Sequence, residues 1–107
     1  MSVTIYGIKT CDTCRKARKA LPEAQFQDIR DEPLNETERA AFLQAFGDQL
    51  INRSSTTWRG LSDDERNLSL DILLTRYPTL MKRPVVRRDG TLFLGWSPKT
   101  QAALGAP

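Results

Sequence analysis

The stretch Val3-Thr-Ile-Tyr-Gly-Ile-Lys-Thr-Cys-Asp-Thr-Cys-Arg-Lys-Ala-Arg-Lys-Ala-Leu-Pro22 decides how this chain folds. Val3 to Tyr6 is β-branched and alternating, the pattern of a strand. Gly7 to Thr10 reads as a loop. From Asp12 to Leu21 the period is helical: Cys14, Ala17 and Leu21 recur on one face, and Arg15, Lys16, Arg18 and Lys19 fall largely elsewhere. Pro22 stops the helix. Phe26 to Ile29 reads as a short second strand. These pieces make a β-α-β unit, for which parallel pairing and a right-handed crossover are expected.

Inside this unit, Cys11-Asp-Thr-Cys14 lies between the strand and a basic helix, the setting that a thioredoxin-like redox motif requires. The thiolate is the attacking species. A cysteine at the start of a helix faces free backbone N–H groups and the positive end of the dipole. Such surroundings, with Arg15 and Lys16 adding charge, can bring a thiol from ~8.5 to about 3.5–7.5. Cys11 is therefore the candidate nucleophile. Cys14, about one helical turn on, is spaced to resolve a mixed disulfide, and a reversible Cys11–Cys14 bond is expected on oxidation. The plainer alternative, two structural cysteines without a role, leaves the position of the motif unexplained.

Beyond the motif the period turns helical from Pro33 to Tyr77. Asn35 with Glu38 resembles a capping box ahead of Ala40 to Phe46, and Gly47 fits the stop. A turn of helix is expected at Asp48 to Ile51, and a polar loop from Asn52 to Thr57. Ser62 with Glu65 makes a second capping box, for one helix whose apolar face includes Leu68 and Ile72 and which Pro78 ends. Strands return at Val85 to Arg87 and Thr91 to Leu94, flanking Arg88-Asp-Gly90, a strong hairpin signal. Ser97-Pro98 is an N-cap followed by proline in the first helical position, and Gly105 closes the last helix. The expectation is an α/β protein: a single thioredoxin-like domain over 1–107, with a mixed four-stranded sheet and a helical insertion at about 33–80.

Composition narrows the chemistry. The chain has 107 residues, enough for one core. It contains no histidine, which removes Ser-His and Cys-His designs. With two cysteines and no histidine, no metal site is expected, since structural zinc takes four ligands of these kinds. No apolar run nears the ~20 residues of a membrane span. No signal-peptide pattern opens the sequence, so a cytoplasmic protein without membrane contact is expected. The net charge of +3 is spread along the chain, not gathered in an aromatic-laced stripe, so direct nucleic-acid binding is not expected. A site for a small anion such as glutathione fits this mild basicity, as does a merely solvated surface.

In combination, Ile5-Tyr-Gly-Ile-Lys-Thr-Cys-Asp-Thr-Cys-Arg-Lys-Ala17, Asn52-Arg-Ser-Ser-Thr-Thr-Trp-Arg59 and Lys82-Arg-Pro-Val-Val86 resemble the arsenate reductase/Spx family, in particular its short YffB-like branch, also called Spx/MgsR. The resemblance runs through Leu94-Gly-Trp-Ser-Pro98 and implies a thioredoxin-like fold with a helical insertion. It implies Cys11 as the catalytic cysteine, Arg53 and Arg83 as anion-holding residues, and Pro84 as a cis-proline packed against the cysteine. Arg15 joins them as a candidate for binding anionic substrate. Trp58 and Trp96 read as packing residues. Two departures stand out. Glutaredoxin-linked arsenate reductases carry a further arginine where this chain has Gly95, and Spx regulators extend past the last helix with a basic tail where this chain ends at Pro107.

Three functions compete on these residues. The first is a thiol–disulfide reductase that binds no cofactor and takes glutathione as co-substrate, or a glutaredoxin-type reductant, acting on a small anionic or disulfide substrate. The second is a regulator that binds RNA polymerase and uses Cys11–Cys14 as a redox switch. Arsenate reduction proper is the third.

Overall fold

The structure is a computed structural model and describes residues 2–105. In chain order these residues form β1 (Val3–Gly7), α1 (Asp12–Ala20), β2 (Gln25–Asp28), α2 (Glu36–Phe46), α3 (Thr56–Arg59), α4 (Asp63–Arg66), α5 (Leu70–Arg76), β3 (Val85–Arg88), β4 (Thr91–Leu94) and α6 (Pro98–Ala103). The chain divides into two compact units. One comprises the segments up to Glu32 and from Arg83 onward, and the other is Pro33–Lys82.

The first unit is built on a four-stranded sheet in the order β2-β1-β3-β4. β1 runs parallel to β2 and antiparallel to β3, and β3 runs antiparallel to β4, so the sheet is mixed. The register aligns Phe26, Ile5, Val86 and Phe93 in one row across all four strands. Cross-strand neighbours on one face interact directly, which fixes both register and facing. Ile5 and Val86 are fully buried and pack with Ala17 of α1 and with Leu104; Phe26, Phe93 and Trp96 close around them. With α1 crossing between parallel strands and α6 following the hairpin, this is a thioredoxin-like fold. Asp89 turns the hairpin at φ 55°, and its backbone pairs with that of Ser2. β2 starts and ends one residue earlier than the apolar pattern suggests, and the Ile29 N–H still donates to the Gly7 carbonyl at 2.9 Å, continuing the parallel ladder one bond beyond the strand.

The second unit is helical. Both halves of the Asn35–Glu38 capping box form at the start of α2, and Gly47 takes φ 55° at its end. A 3-10 turn over Gly47–Leu50 follows. The polar run from Asn52 departs from the expected loop, because the Ser55 hydroxyl accepts from the Trp58 N–H and starts α3 at Thr56. The single helix expected from Ser62 is two. The Ser62–Glu65 box caps only α4, and the Ser69 hydroxyl accepts from the Ile72 N–H to begin α5 afresh. A serine in helical surroundings competes for backbone donors, which is why it caps instead of continuing. The restart turns Leu73 and Leu74 inward and leaves Ile72 exposed.

Loss of a capping asparagine costs about 1 kcal/mol. Asn35→Ala should therefore lower the free energy of urea unfolding by about that amount with an unchanged m-value. A loss below about 0.3 kcal/mol would show that the box contributes nothing to α2.

Candidate active site

Cys11 is the N-cap of α1, with extended backbone at φ −80° and ψ 123°. Its N–H donates to the Ile8 carbonyl at 3.0 Å and its carbonyl accepts from the Arg15 N–H at 2.9 Å, so the residue is fixed where loop becomes helix. The sulfur closes no capping hydrogen bond of full geometry; the Thr13 and Cys14 N–H groups act on it as dipoles facing an anion. Burial pushes the Cys11 thiol up. The Cys14 N–H, the Cys14 thiol, the Arg83 guanidinium and the Thr13 N–H together outweigh burial and bring it below the ordinary value. Charge-stabilising donors at a helix start have this effect on any thiolate.

Cys14 has the opposite setting. It is fully buried on the inner face of α1, beside Ala17. Burial pushes its thiol up to about 12; the Ile8 N–H and Arg83 pull it down, while the Cys11 sulfur and charge raise it further. Both cysteines are free thiols. At neutral pH Cys14 is therefore a protonated donor to the Cys11 sulfur. Two adjacent thiols are pushed apart by their surroundings, as acid–base pairs at active sites commonly are.

Gly7, read from the sequence only as the start of a loop, is the last residue of β1 and sets how near α1 lies to the sheet. A methyl group added there would overlap the Cys14 sulfur and come within 3.2 Å of its Cβ. The only signal in the sequence is a glycine ending an alternating strand, a place where backbones approach closely.

Arg83 is half-buried and precedes a cis peptide bond to Pro84, which is itself buried. The Pro84 carbonyl accepts from the Gly95 N–H at 2.8 Å. Arg83 and the two cysteines thus come together. Arg15 is turned to other partners: its Nε donates to the Lys9 carbonyl at 3.2 Å, and a terminal nitrogen lies 3.9 Å from Asp12. Arg53 belongs to the Pro33–Lys82 unit, where it donates to the Asp48 carbonyl and carboxylate and lies 5.2 Å from the Trp58 ring centre. Among the described residues, no three candidate ligands gather as a metal site, and no helix is long and apolar enough to cross a membrane.

A sequence profile of the ArsC family matches residues 6–104. The chain belongs to the ArsC family. An arsenate reductase-related protein from Brucella melitensis is 41% identical, with 96% of this chain and 93% of that one covered and a TM-score of 0.73. A protein named YffB is 31% identical, with 95% and 97% covered and a TM-score of 0.85. The global transcriptional regulator Spx of Listeria innocua is 30% identical over 89% of this chain and 80% of its own length. This ArsC-family chain is thus similar both to arsenate reductase-related proteins and to a transcription regulator.

In this ArsC-family chain Arg83 lowers the Cys11 thiol, so Arg83→Gln should move the alkylation of Cys11 to higher pH. Only the thiolate reacts, so at a pH below its pKa a thiol whose pKa rises by one is labelled about tenfold more slowly. A rate profile that superimposes on wild type would remove Arg83 from the electrostatics of the site.

Proposed function

We propose that this protein is a glutathione-dependent thiol–disulfide reductase with Cys11 as nucleophile, Cys14 as its proton-bearing neighbour and Arg83 as the anion-holding residue. The observation that carries this reading is the split between the thiols: one lowered at the open end of α1, the other buried and pushed up to about 12. A pair so arranged sets one thiol that ionises more readily than usual beside one that remains a hydrogen-bond donor. Pro84, cis and buried beside Arg83, frames the site. The mild positive charge of the chain suits a substrate carrying carboxylates.

On a glutathionylated substrate, the Cys11 thiolate attacks the glutathione sulfur. A bond forms between Cys11 and glutathione, the substrate S–S bond breaks, and the substrate thiolate takes a proton from water. A free glutathione thiolate then attacks the same glutathione sulfur, releasing Cys11 as thiolate and glutathione disulfide as product. The substrate gains two electrons at the expense of one free glutathione and of the glutathionyl group it carried. Cys14 donates its hydrogen bond to the Cys11 thiolate before attack and again on release. The guanidinium of Arg83 offers a planar fork to a glutathione carboxylate, which lysine does not reproduce.

The Spx relative favours a second reading, a redox-switched regulator that binds RNA polymerase. Retention of polymerase that changes with the redox state of Cys11–Cys14 would put that reading first. Arsenate ranks below both. Gly95 offers no side chain for an oxyanion, and its φ of 82° is a conformation that arginine rarely adopts. One missing charge-stabilising donor can cost ~10²–10³ in rate.

Glutathione disulfide should add one glutathionyl group to Cys11, read by intact-protein and peptide mass spectrometry. Cys11→Ser should abolish the adduct, Cys14→Ser should retain it, and free glutathione should reverse it. Adducts found on Cys14, or neither an adduct nor a Cys11–Cys14 disulfide in wild type and no adduct in Cys14→Ser, would contradict the reductase reading.

A further inference from the structure

We propose that the buried carboxylate of Asp28, at the end of β2, is a positioning residue that holds the Gly7–Lys9 segment where its backbone meets both cysteines. The proposal rests on the reading of Cys11 as the working thiol.

Asp28 is only 7% exposed. One of its oxygens accepts from the Lys9 N–H at 2.9 Å, and the other accepts from the Arg30 N–H at 2.9 Å. Next to it, the Ile29 N–H donates to the Gly7 carbonyl at 2.9 Å. The same short segment is tied to α1 on its other side. The Ile8 carbonyl accepts from the Cys11 N–H at 3.0 Å, and the Ile8 N–H acts on the Cys14 sulfur. Gly7 is the residue on which the Cys14 sulfur packs. Three consecutive residues thus link the end of β2 to both thiols, and the Lys9–Asp28 bond is the side-chain member of that link.

A buried carboxylate is tolerated only when hydrogen-bonded or paired. Burial raises this carboxyl; the Lys9, Arg30 and Asp31 N–H groups and the Arg30 charge outweigh it and keep the group ionised. The Lys9 ammonium is directed elsewhere, 3.5 Å from the Asp31 carboxylate. The bond to Arg30 serves the local turn after β2. The bond to Lys9 spans 19 residues and closes no turn of its own.

Charge and position predict opposite signs. A nearby carboxylate disfavours a thiolate, so if Asp28 acted through its charge, neutralising it would lower the Cys11 thiol. If it acts through position, Asp28→Asn and Asp28→Glu both raise it. The first replaces one acceptor by a donor, and the second keeps the charge but displaces the acceptor from Lys9. The groups facing the thiols, Arg83 and the Thr13 and Cys14 N–H groups, are not themselves substituted, so a shift to higher pH reports a change in their placement relative to the sulfur.

The experiment is the pH dependence of Cys11 alkylation by iodoacetamide, read by peptide mass spectrometry, with the burial of Cys14 as the internal check of folding. Both variants should move the Cys11 profile to higher pH, with labelling at a pH well below the wild-type midpoint slowed about tenfold when the profile moves by one on the pH axis. Movement to lower pH in Asp28→Asn with none in Asp28→Glu would assign a charge effect and overturn the proposal. So would reduced stability with an unchanged profile, which marks a turn residue only. If Asp28→Asn exposes Cys14 to rapid labelling, Asp28→Glu decides alone. Rapid Cys14 labelling in both would make Asp28 a folding residue and sink the idea. The readout uses no glutathione. Failure of the reductase reading therefore appears separately, as absent glutathione exchange in wild type with the alkylation profiles intact.

Discussion

The site depends on how closely α1 approaches the end of β1. Gly7 has no Cβ, and the Cys14 sulfur occupies the space that a Cβ would take. That contact lets Cys14 bury completely on the inner face of the helix and leaves Cys11, at the helix start, partly exposed. The Ile8 backbone, one residue on, bonds to Cys11 and acts on Cys14. One close approach of backbone to side chain therefore fixes the place of both thiols relative to the sheet.

From this packing follows the electrostatics. Both thiols carry a burial penalty, and for both it is the largest single influence, yet they move in opposite directions. Cys11 escapes because helix N–H groups, the Cys14 thiol and Arg83 converge on it, whereas Cys14 feels the Cys11 charge as repulsion. The two also act oppositely on stability. The lowered Cys11 thiol stabilises the fold above the unfolded thiol's pKa, and this contribution fades as pH falls through its own lower value. The raised Cys14 thiol contributes fully below the unfolded pKa and loses that contribution as pH climbs toward about 12.

Much of this was legible in the residues because local chemistry governs it. The strand–loop–helix around Cys11, the two capping boxes, the Asp-Gly hairpin and the Ser-Pro start of α6 each rest on a few neighbouring side chains, and each forms. What escaped depends on competition or on distance. Ser55 and Ser69 capture backbone donors and so start helices where a loop and a continuous helix were expected. Gly7 and Asp28 matter through neighbours seven and 19 residues away, which no local pattern reveals. The contact of the Arg15 side chain with the Lys9 carbonyl is likewise set by the path of the loop before Cys11 and by no local pattern.

The central claim is that the fold gives two neighbouring thiols opposite proton affinities. Titration of both cysteines by NMR, with carbon-13 at each Cβ, tests it without any substrate. The account predicts that Cys11 loses its proton below the ordinary thiol range of ~8.5, while Cys14 stays protonated well above it. Two cysteines titrating together near the ordinary value would contradict it.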